Sequence, residues 1–524
     1  MTLSKPESYT LLILSVLVIY SGTLHHSFHF DDTITVMYPT RIRDIDNFFS
    51  SLMELSIRPI LLLTFKVNYA IHKFDVVGYH IVNISIHCVN VLLVYILLNR
   101  IGCDRNSALI GALLFAVHPI QTQSVTYISC RSVLLATTFY LVAVLAFLSK
   151  RYVTVGICFV LGMLTKEILI SLPITAIVIH WLVVSRETLF SYISKYNKII
   201  GLILFSMTAI ALYRIIYSGG ILPSSQTPYS VAEYFMTQLV AIPAFYVQKI
   251  LMPVGLSIDH EFPIYKEVPS YLLIFYGLVV FSIWNSSRLM LLGILWFFIT
   301  IAPESSFVPL LDVVTEHRLY LPMVGASIIV TVIVNKYGLW FKRICYGMLF
   351  VLAVMSIDRN RVWATEVSLW TDARDKYPML VRPHNNLGDA YDKLGEYWLA
   401  TIEYENCLKL EPNYELAIVN LGNIYGKAGN LDMAQKYFEK ALAINDRIAE
   451  AHYNLATIYL KRGMYGDALY TYEKALAINP DMHDARLNAG ISAHFSGDIY
   501  KKRLYLDEYV RINGSNDQLK SIME

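Results

Sequence analysis

Charge is scarce in this chain. Only 16% of its 524 residues are Asp, Glu, Lys or Arg, against about 25% in soluble domains. That composition excludes a water-surrounded globule for the chain as a whole. Mean hydropathy is +0.47, so an integral membrane protein is expected. Net charge is also small: 43 basic against 41 acidic side chains leave +2, which excludes a broad basic face for nucleic acid. Cysteine is sparse, and Cys88, Cys103, Cys130, Cys158, Cys345 and Cys407 lie scattered without CxxC spacing. They argue against a disulfide framework and against a zinc site. Leu11 to Tyr20 is almost purely aliphatic, yet no small-residue cleavage pattern follows it. An uncleaved first span is therefore expected.

What is present divides unevenly. Long apolar runs dominate residues 1–357, whereas 358–524 is polar and tyrosine-rich. The fold class expected is all-α: a polytopic membrane helix bundle followed by an α-solenoid. Apolar stretches fall at 9–24, 78–98, 106–121, 132–149, 152–165, 168–185, 198–217, 268–284, 288–303, 320–335 and 343–357, giving about eleven spans. Several fall short of the ~20 residues that cross a bilayer upright. The segment 234–252 carries Pro243 and Gln248 and precedes Asp259-His260-Glu261; it reads as re-entrant or interfacial. With Met1 on the cytosolic side, every inward turn then carries Lys or Arg. The domains expected are a membrane domain over 1–357, a linker at 358–380, repeats at 381–514 and a tail at 515–524.

This topology gathers polar residues on the non-cytosolic side. His29-Phe30-Asp31-Asp32 follows the first span, and aspartate is a poor anchor because it lacks a long apolar stem. Asp31 and Asp32 are the candidate catalytic acids. Lys166-Glu167 ends a short span and reads as an ion pair in a hydrated cavity. Arg131 at a helix start opposes the helix dipole, so an anionic partner is expected. Together with Arg58, His118, Glu316 and Arg318 these residues suit one chemistry. The cations would hold a phosphate on a lipid carrier, while a carboxylate takes the proton from a hydroxyl attacking the sugar's anomeric carbon. An oligosaccharide ligase or polymerase, and a non-enzymatic scaffold, are the other readings. The early acids and short late loop argue against the first, and the charges carried into the membrane argue against the second.

The polar tail has a period of 34. Asn386-Leu387-Gly388, Asn420-Leu421-Gly422, Asn454-Leu455-Ala456 and Asn488-Ala489-Gly490 recur at that interval. Gly395, Gly429, Gly463 and Gly497 keep step, as do Ala400, Ala434 and Ala468, and then Tyr404, Phe438 and Tyr472. This is the tetratricopeptide signature, with three good repeats and a degenerate capping one. Such arrays present a concave binding surface, the expected place for acceptors.

The chain resembles the TMTC family, transmembrane O-mannosyltransferases of the GT-C class with tetratricopeptide repeats. The resemblance rests on Phe30-Asp31-Asp32, Ser56-Ile57-Arg58-Pro59, Tyr79-His80-Ile81-Val82-Asn83 with His87, His118-Pro119 with Thr122, Val125 and Arg131, Lys166-Glu167, Glu316-His317-Arg318-Leu319-Tyr320-Leu321-Pro322 and Arg359-Asn360-Arg361-Val362-Trp363. It implies a polyprenyl- or dolichyl-phosphate sugar donor, a site facing the lumen or periplasm, hydroxyl acceptors on proteins, and no metal or other cofactor. By analogy the outer-loop aspartate is the catalytic base, with Asp31 at the position of the first acidic residue and Asp32 the alternative. Gln123 stands where the pattern leads one to expect an acidic residue, and His317 interrupts the usual Glu-Arg pair.

Overall fold

The structure, a computed structural model, describes residues 4–37, 58–185, 187–201 and 227–513. The described residues form helices and connecting turns, with no strand among them. Two compact units divide the chain, Met1–Asp372 and Ala373–Glu524.

In the first unit, Ser4 caps the opening helix Lys5–Tyr20 in a reciprocal arrangement with Glu7. Among the described residues, four helices are able by length and composition to cross a membrane: Val76–Arg100, Ile128–Leu148, Glu167–Ser185 and Trp340–Val362. Arg105–Val117 with Pro119–Thr126, bent by 48°, makes a fifth if the pair is one span. Tyr152–Met163, Leu272–Asn285, Arg288–Ile301 and Met323–Gly338 are apolar but shorter. The eleven apolar stretches of the sequence therefore exceed the helices that meet a full-span length. Sequence hydropathy measures an apolar run, whereas helix length also depends on where the backbone breaks. The bend falls at His118, whose extended ψ of 130° precedes Pro119. Gly338, at φ 74°, separates Met323–Gly338 from Trp340–Val362. Of the expected span 198–217, residues 202–217 lie outside the described residues, as does the tail 515–524.

Two segments hold helix that the sequence reading did not specify. Pro59–His72, expected as loop, is a helix opened by proline at its first turn, and its Leu61 and Phe65 pack with Val36, Tyr79 and Ile128. Residues expected as linker are largely helical, because Trp340–Val362 overruns 357 and Glu366–Lys376 follows. The segment 234–252 becomes helix Val231–Ala241, a π turn over Ile242–Val247 beside Pro243, and Gln248–Leu251. Its Tyr234 hydroxyl donates to Glu304 O at 2.9 Å and its Gln238 amide to Val313 O at 2.8 Å. That helix thereby holds the segment after Ile301.

The second unit is built of antiparallel helix pairs in register with the 34-residue period: Val381–Lys393 with Tyr397–Leu410, Glu415–Lys427 with Leu431–Ile444, Ala449–Lys461 with Tyr465–Ile478, and His483–Ser496 with Ile499–Asn513. The periodic glycines do two jobs. Gly388 and Gly422 let an aromatic ring lie where a methyl would sit, 2.6 Å from Tyr404 and from Phe438. Gly395, Gly429, Gly463 and Gly497 turn the chain at φ of 74 to 81°.

Candidate active site

A cavity of about 460 Å³ opens in the first unit, lined by Asp31, Arg58, Lys166, Glu304, His317 and Arg318 among others. Its residues come from five distant stretches of chain. Asp31 sits in the turn after the first helix. That turn is stitched to residues 127–130: the Asp31 N–H donates to the Tyr127 hydroxyl at 2.9 Å, and Thr35 shares a 2.7 Å hydrogen bond with Ser129.

The two adjacent aspartates part company. Asp31 lines the cavity, whereas Asp32 is wholly buried and does not. One Asp32 oxygen accepts from the Ser129 N–H at 2.7 Å and from the Ser129 hydroxyl, and the other from the His29 N–H at 3.0 Å. Burial pushes the Asp32 carboxyl up to about 7, against the pull of those donors. Asp32 shapes the turn, and Asp31 faces the space.

Lys166 and Glu167 part in the same way, which corrects their reading as a mutual ion pair. Lys166 has extended backbone, φ −160° and ψ 144°, and successive side chains on extended backbone point to opposite faces. Lys166 Nζ meets Glu304 Oε1 at 2.7 Å. Glu167 instead meets Arg58 at 3.2 Å, both half-exposed. Burial would raise the Glu304 carboxyl, but Lys166, His317 and Arg318 outweigh it and lower it to about 2. Burial, then Lys166, lowers His317 to about 3, so its imidazole is neutral near pH 7. Arg318 is held by the carbonyls of Val313 at 2.8 Å and Asp312 at 2.5 Å and by the Tyr246 hydroxyl at 3.1 Å.

Four other candidates lie outside the lining. His118 spans the bend, its Nε2 3.0 Å from Ile250 O and its Nδ1 accepting from the Ile120 N–H. Arg131, fully buried, donates to Asn83 Oδ1 at 2.8 Å and Tyr79 O at 3.1 Å and lies 4.5 Å from the centre of the Phe65 ring. The expected anionic partner is replaced by neutral oxygens and a π face, which satisfy a guanidinium as well. Glu316 accepts from the Ser257 N–H at 2.6 Å and lies 2.9 Å from His260 Nε2. These three brace walls, and Glu167 is the fourth. The motif residues Asn83, His87 and Tyr320 do likewise: His87 Nδ1 is 2.6 Å from the Tyr320 hydroxyl. Gln123, at the position expected to be acidic, accepts from the His317 N–H at 2.8 Å.

Sequence reasoning missed Glu304. It stands in Ala302-Pro303-Glu304-Ser305 at the end of an apolar stretch, the same signal that drew attention to Lys166. Among the described residues no group of three or more His, Cys, Asp or Glu side chains is placed to hold a metal ion.

The fold and cavity define the class: an apolar helical unit with a charged cavity, carrying a tetratricopeptide solenoid. Residues 414–481 and 381–414 match tetratricopeptide-repeat models. The chain's homologues are the protein O-mannosyl-transferases of the TMTC family. Protein O-mannosyl-transferase F38B6.6 of Caenorhabditis elegans is 28% identical over 70% of this chain and 55% of its own length. TMTC3 of Mus musculus is 24% identical over 74% of this chain and 49% of its own, and TMTC4 of Homo sapiens 26% identical over 65% and 56%. The chain spans about half the length of the curated relatives it matches.

Proposed function

We propose that this chain is an integral-membrane glycosyltransferase that moves mannose from a polyprenyl- or dolichyl-phosphate carrier to hydroxyl groups of proteins on the non-cytosolic side. The observation that carries this reading is the cavity itself. Two aspartates, a glutamate and three cations, Asp31, Asp312 and Glu304 with Arg58, Lys166 and Arg318, line a single space in a chain whose homologues are named protein O-mannosyl-transferases.

The chemistry follows from charge. Asp31 takes the proton of the acceptor hydroxyl as its oxygen bonds to the anomeric carbon. The bond from that carbon to the carrier phosphate breaks, and the phosphate leaves as an anion held by Lys166 and Arg318, with Arg58 at the rim. A phosphate leaving group needs no strong general acid, and the scheme assigns no role to a metal or other cofactor. Direct displacement assisted by one base inverts the anomeric centre. Glu304, 2.7 Å from Lys166 Nζ, holds that side chain in place.

The repeats offer a surface for protein acceptors. On the eleven-span reading, with 234–252 along the outer face, the cavity and the repeats each face the non-cytosolic side. A eukaryotic host implies the endoplasmic reticulum and dolichol, and a bacterial one the plasma membrane and undecaprenol. The test is incubation of the purified full chain with a panel of lipid-phosphate sugars and serine- or threonine-bearing peptides. Transfer from the mannosyl carrier is expected, lowered about 10³-fold in Asp31→Asn. No transfer from any carrier, or undiminished transfer by Asp31→Asn, refutes the assignment.

A further inference from the structure

The residue before Asp31 has an uncommon backbone. Phe30 adopts φ +42°, a conformation costly for a bulky side chain and kept only when its surroundings enforce it. Two rings of the segment 362–370 supply the enforcement on this side of the turn. The Phe30 ring meets Trp370 edge to face, with centroids 5.6 Å apart, and Trp370 is 2% exposed. His29, one residue earlier, lies edge to face with Trp363 at 5.8 Å and holds its carbonyl through Nε2 at 2.7 Å. The Ser27 N–H donates to Ala364 O at 3.3 Å. The turn 27–32 is thus fastened at three successive points to a stretch that the cavity does not include.

The left-handed residue has a geometric consequence. It ends the irregular run before it and starts the helical turn in which Asp32 N–H reaches His29 O at 2.8 Å and Thr33 N–H reaches Phe30 O at 3.1 Å. That reversal buries Asp32 against Ser129 and leaves Asp31 at the cavity. With φ at an ordinary negative value the same two carboxylates would be redirected, because a change in one backbone dihedral rotates everything after it.

We propose that Phe30 and Trp370 are positioning residues for Asp31: the Trp370 ring holds Phe30 in its left-handed conformation, and that conformation aims the Asp31 carboxylate into the cavity. This rests on the reading of Asp31 as the base. A rigid near-attack geometry is worth about 100-fold per ångström of misplacement, so the effect belongs in kcat.

The test uses the full chain, with dolichyl-phosphate mannose and a pool of serine- or threonine-bearing peptides. Trp370→Ala is expected to lower kcat about 100-fold with donor KM within about twofold, and to raise hydrogen exchange in the peptide 27–37. Trp370→Phe, which keeps an aromatic edge, is expected to recover most of the rate. Phe30→Gly relaxes the backbone penalty but removes the ring, and is expected to lose rate too; it decides the matter if Trp370→Ala does not fold. Wild-type kcat in either variant, or a Trp370→Phe no faster than Trp370→Ala, overturns the proposal. If the unaltered chain transfers nothing, the function assignment fails separately and exchange judges the clamp: protection of 27–37 unchanged in Trp370→Ala refutes it, and lost protection supports it.

Discussion

Lys166 Nζ lies 2.7 Å from Glu304 Oε1, tying the turn after Met163 to the segment after Ile301. The lysine is 5% exposed and the glutamate 17%, so water screens the pair little. Removing one partner strands the other, at about 3–5 kcal/mol. Lys166→Met is therefore expected to lower thermal stability and to raise the donor KM by about 10- to 100-fold, near 1.4–2.7 kcal/mol of lost binding. The double variant Lys166→Met with Glu304→Gln is expected to regain stability and not donor affinity. Recovery of both would show that the lysine only braces the fold.

Asp31→Asn and Asp32→Ala are expected to fail differently. Asp31→Asn removes the base and lowers transfer about 10³-fold with an unchanged melting temperature. Asp32→Ala leaves the His29 and Ser129 N–H groups buried without acceptors, at about 1–3 kcal/mol each, so a lower melting temperature is expected. Kinetics and thermal unfolding of the two variants side by side check this. Equal loss of stability in both would sink the division of roles.

The same turn and the Lys166 pair give stability opposite pH slopes. Asp32 has a folded value near 7, above its ordinary 3.8, so the folded state binds its proton more tightly. The stability it contributes is present below about 3.8 and is lost as pH rises through about 7. Glu304 has a folded value near 2, below its ordinary 4.5; its contribution is complete above 4.5 and is lost as pH falls through about 2. Asp32→Asn should flatten the melting temperature between pH 4 and 7, and Glu304→Gln should flatten it below pH 4.5.

The repeats allow a paired glycine test. A methyl on Gly422 would lie 2.6 Å from the Phe438 ring, whereas one on Gly426, in the same helix, would meet only Ala434 at 3.8 Å. Gly422→Ala is expected to cost about 1–3 kcal/mol through overpacking. Gly426→Ala is expected to be neutral or to stabilise by up to about 1 kcal/mol. Chemical denaturation of the two proteins separates them, and equal effects would contradict the close ring contact.

The solenoid was largely legible before any coordinates, because each 34-residue repeat writes its own packing in Gly, Ala and aromatic positions. Helix lengths in the first unit were not, since Pro119 breaks the stretch 106–121 that hydropathy sees as continuous, and other apolar stretches form helices shorter than a full span. Pro59–His72 escaped notice because its helix is short and its apolar face is shared with Val36 and Ile128 from elsewhere. Glu304 was overlooked for the opposite reason: a single acid beyond an apolar stretch has no meaning until Lys166 is beside it.

By itself the sequence determined which chemical groups this protein owns, its division into an apolar and a repetitive polar half, and the glycines on which the repeats turn. Those properties are local, fixed by composition and spacing along the chain. Only the tertiary structure decided that Asp31 and not Asp32 faces the cavity, that Lys166 pairs with Glu304 and not Glu167, and that Arg131 rests on Phe65 and amide oxygens. Neighbours in sequence share a position but not a direction; direction comes from backbone dihedrals, and those are enforced by residues from remote parts of the chain.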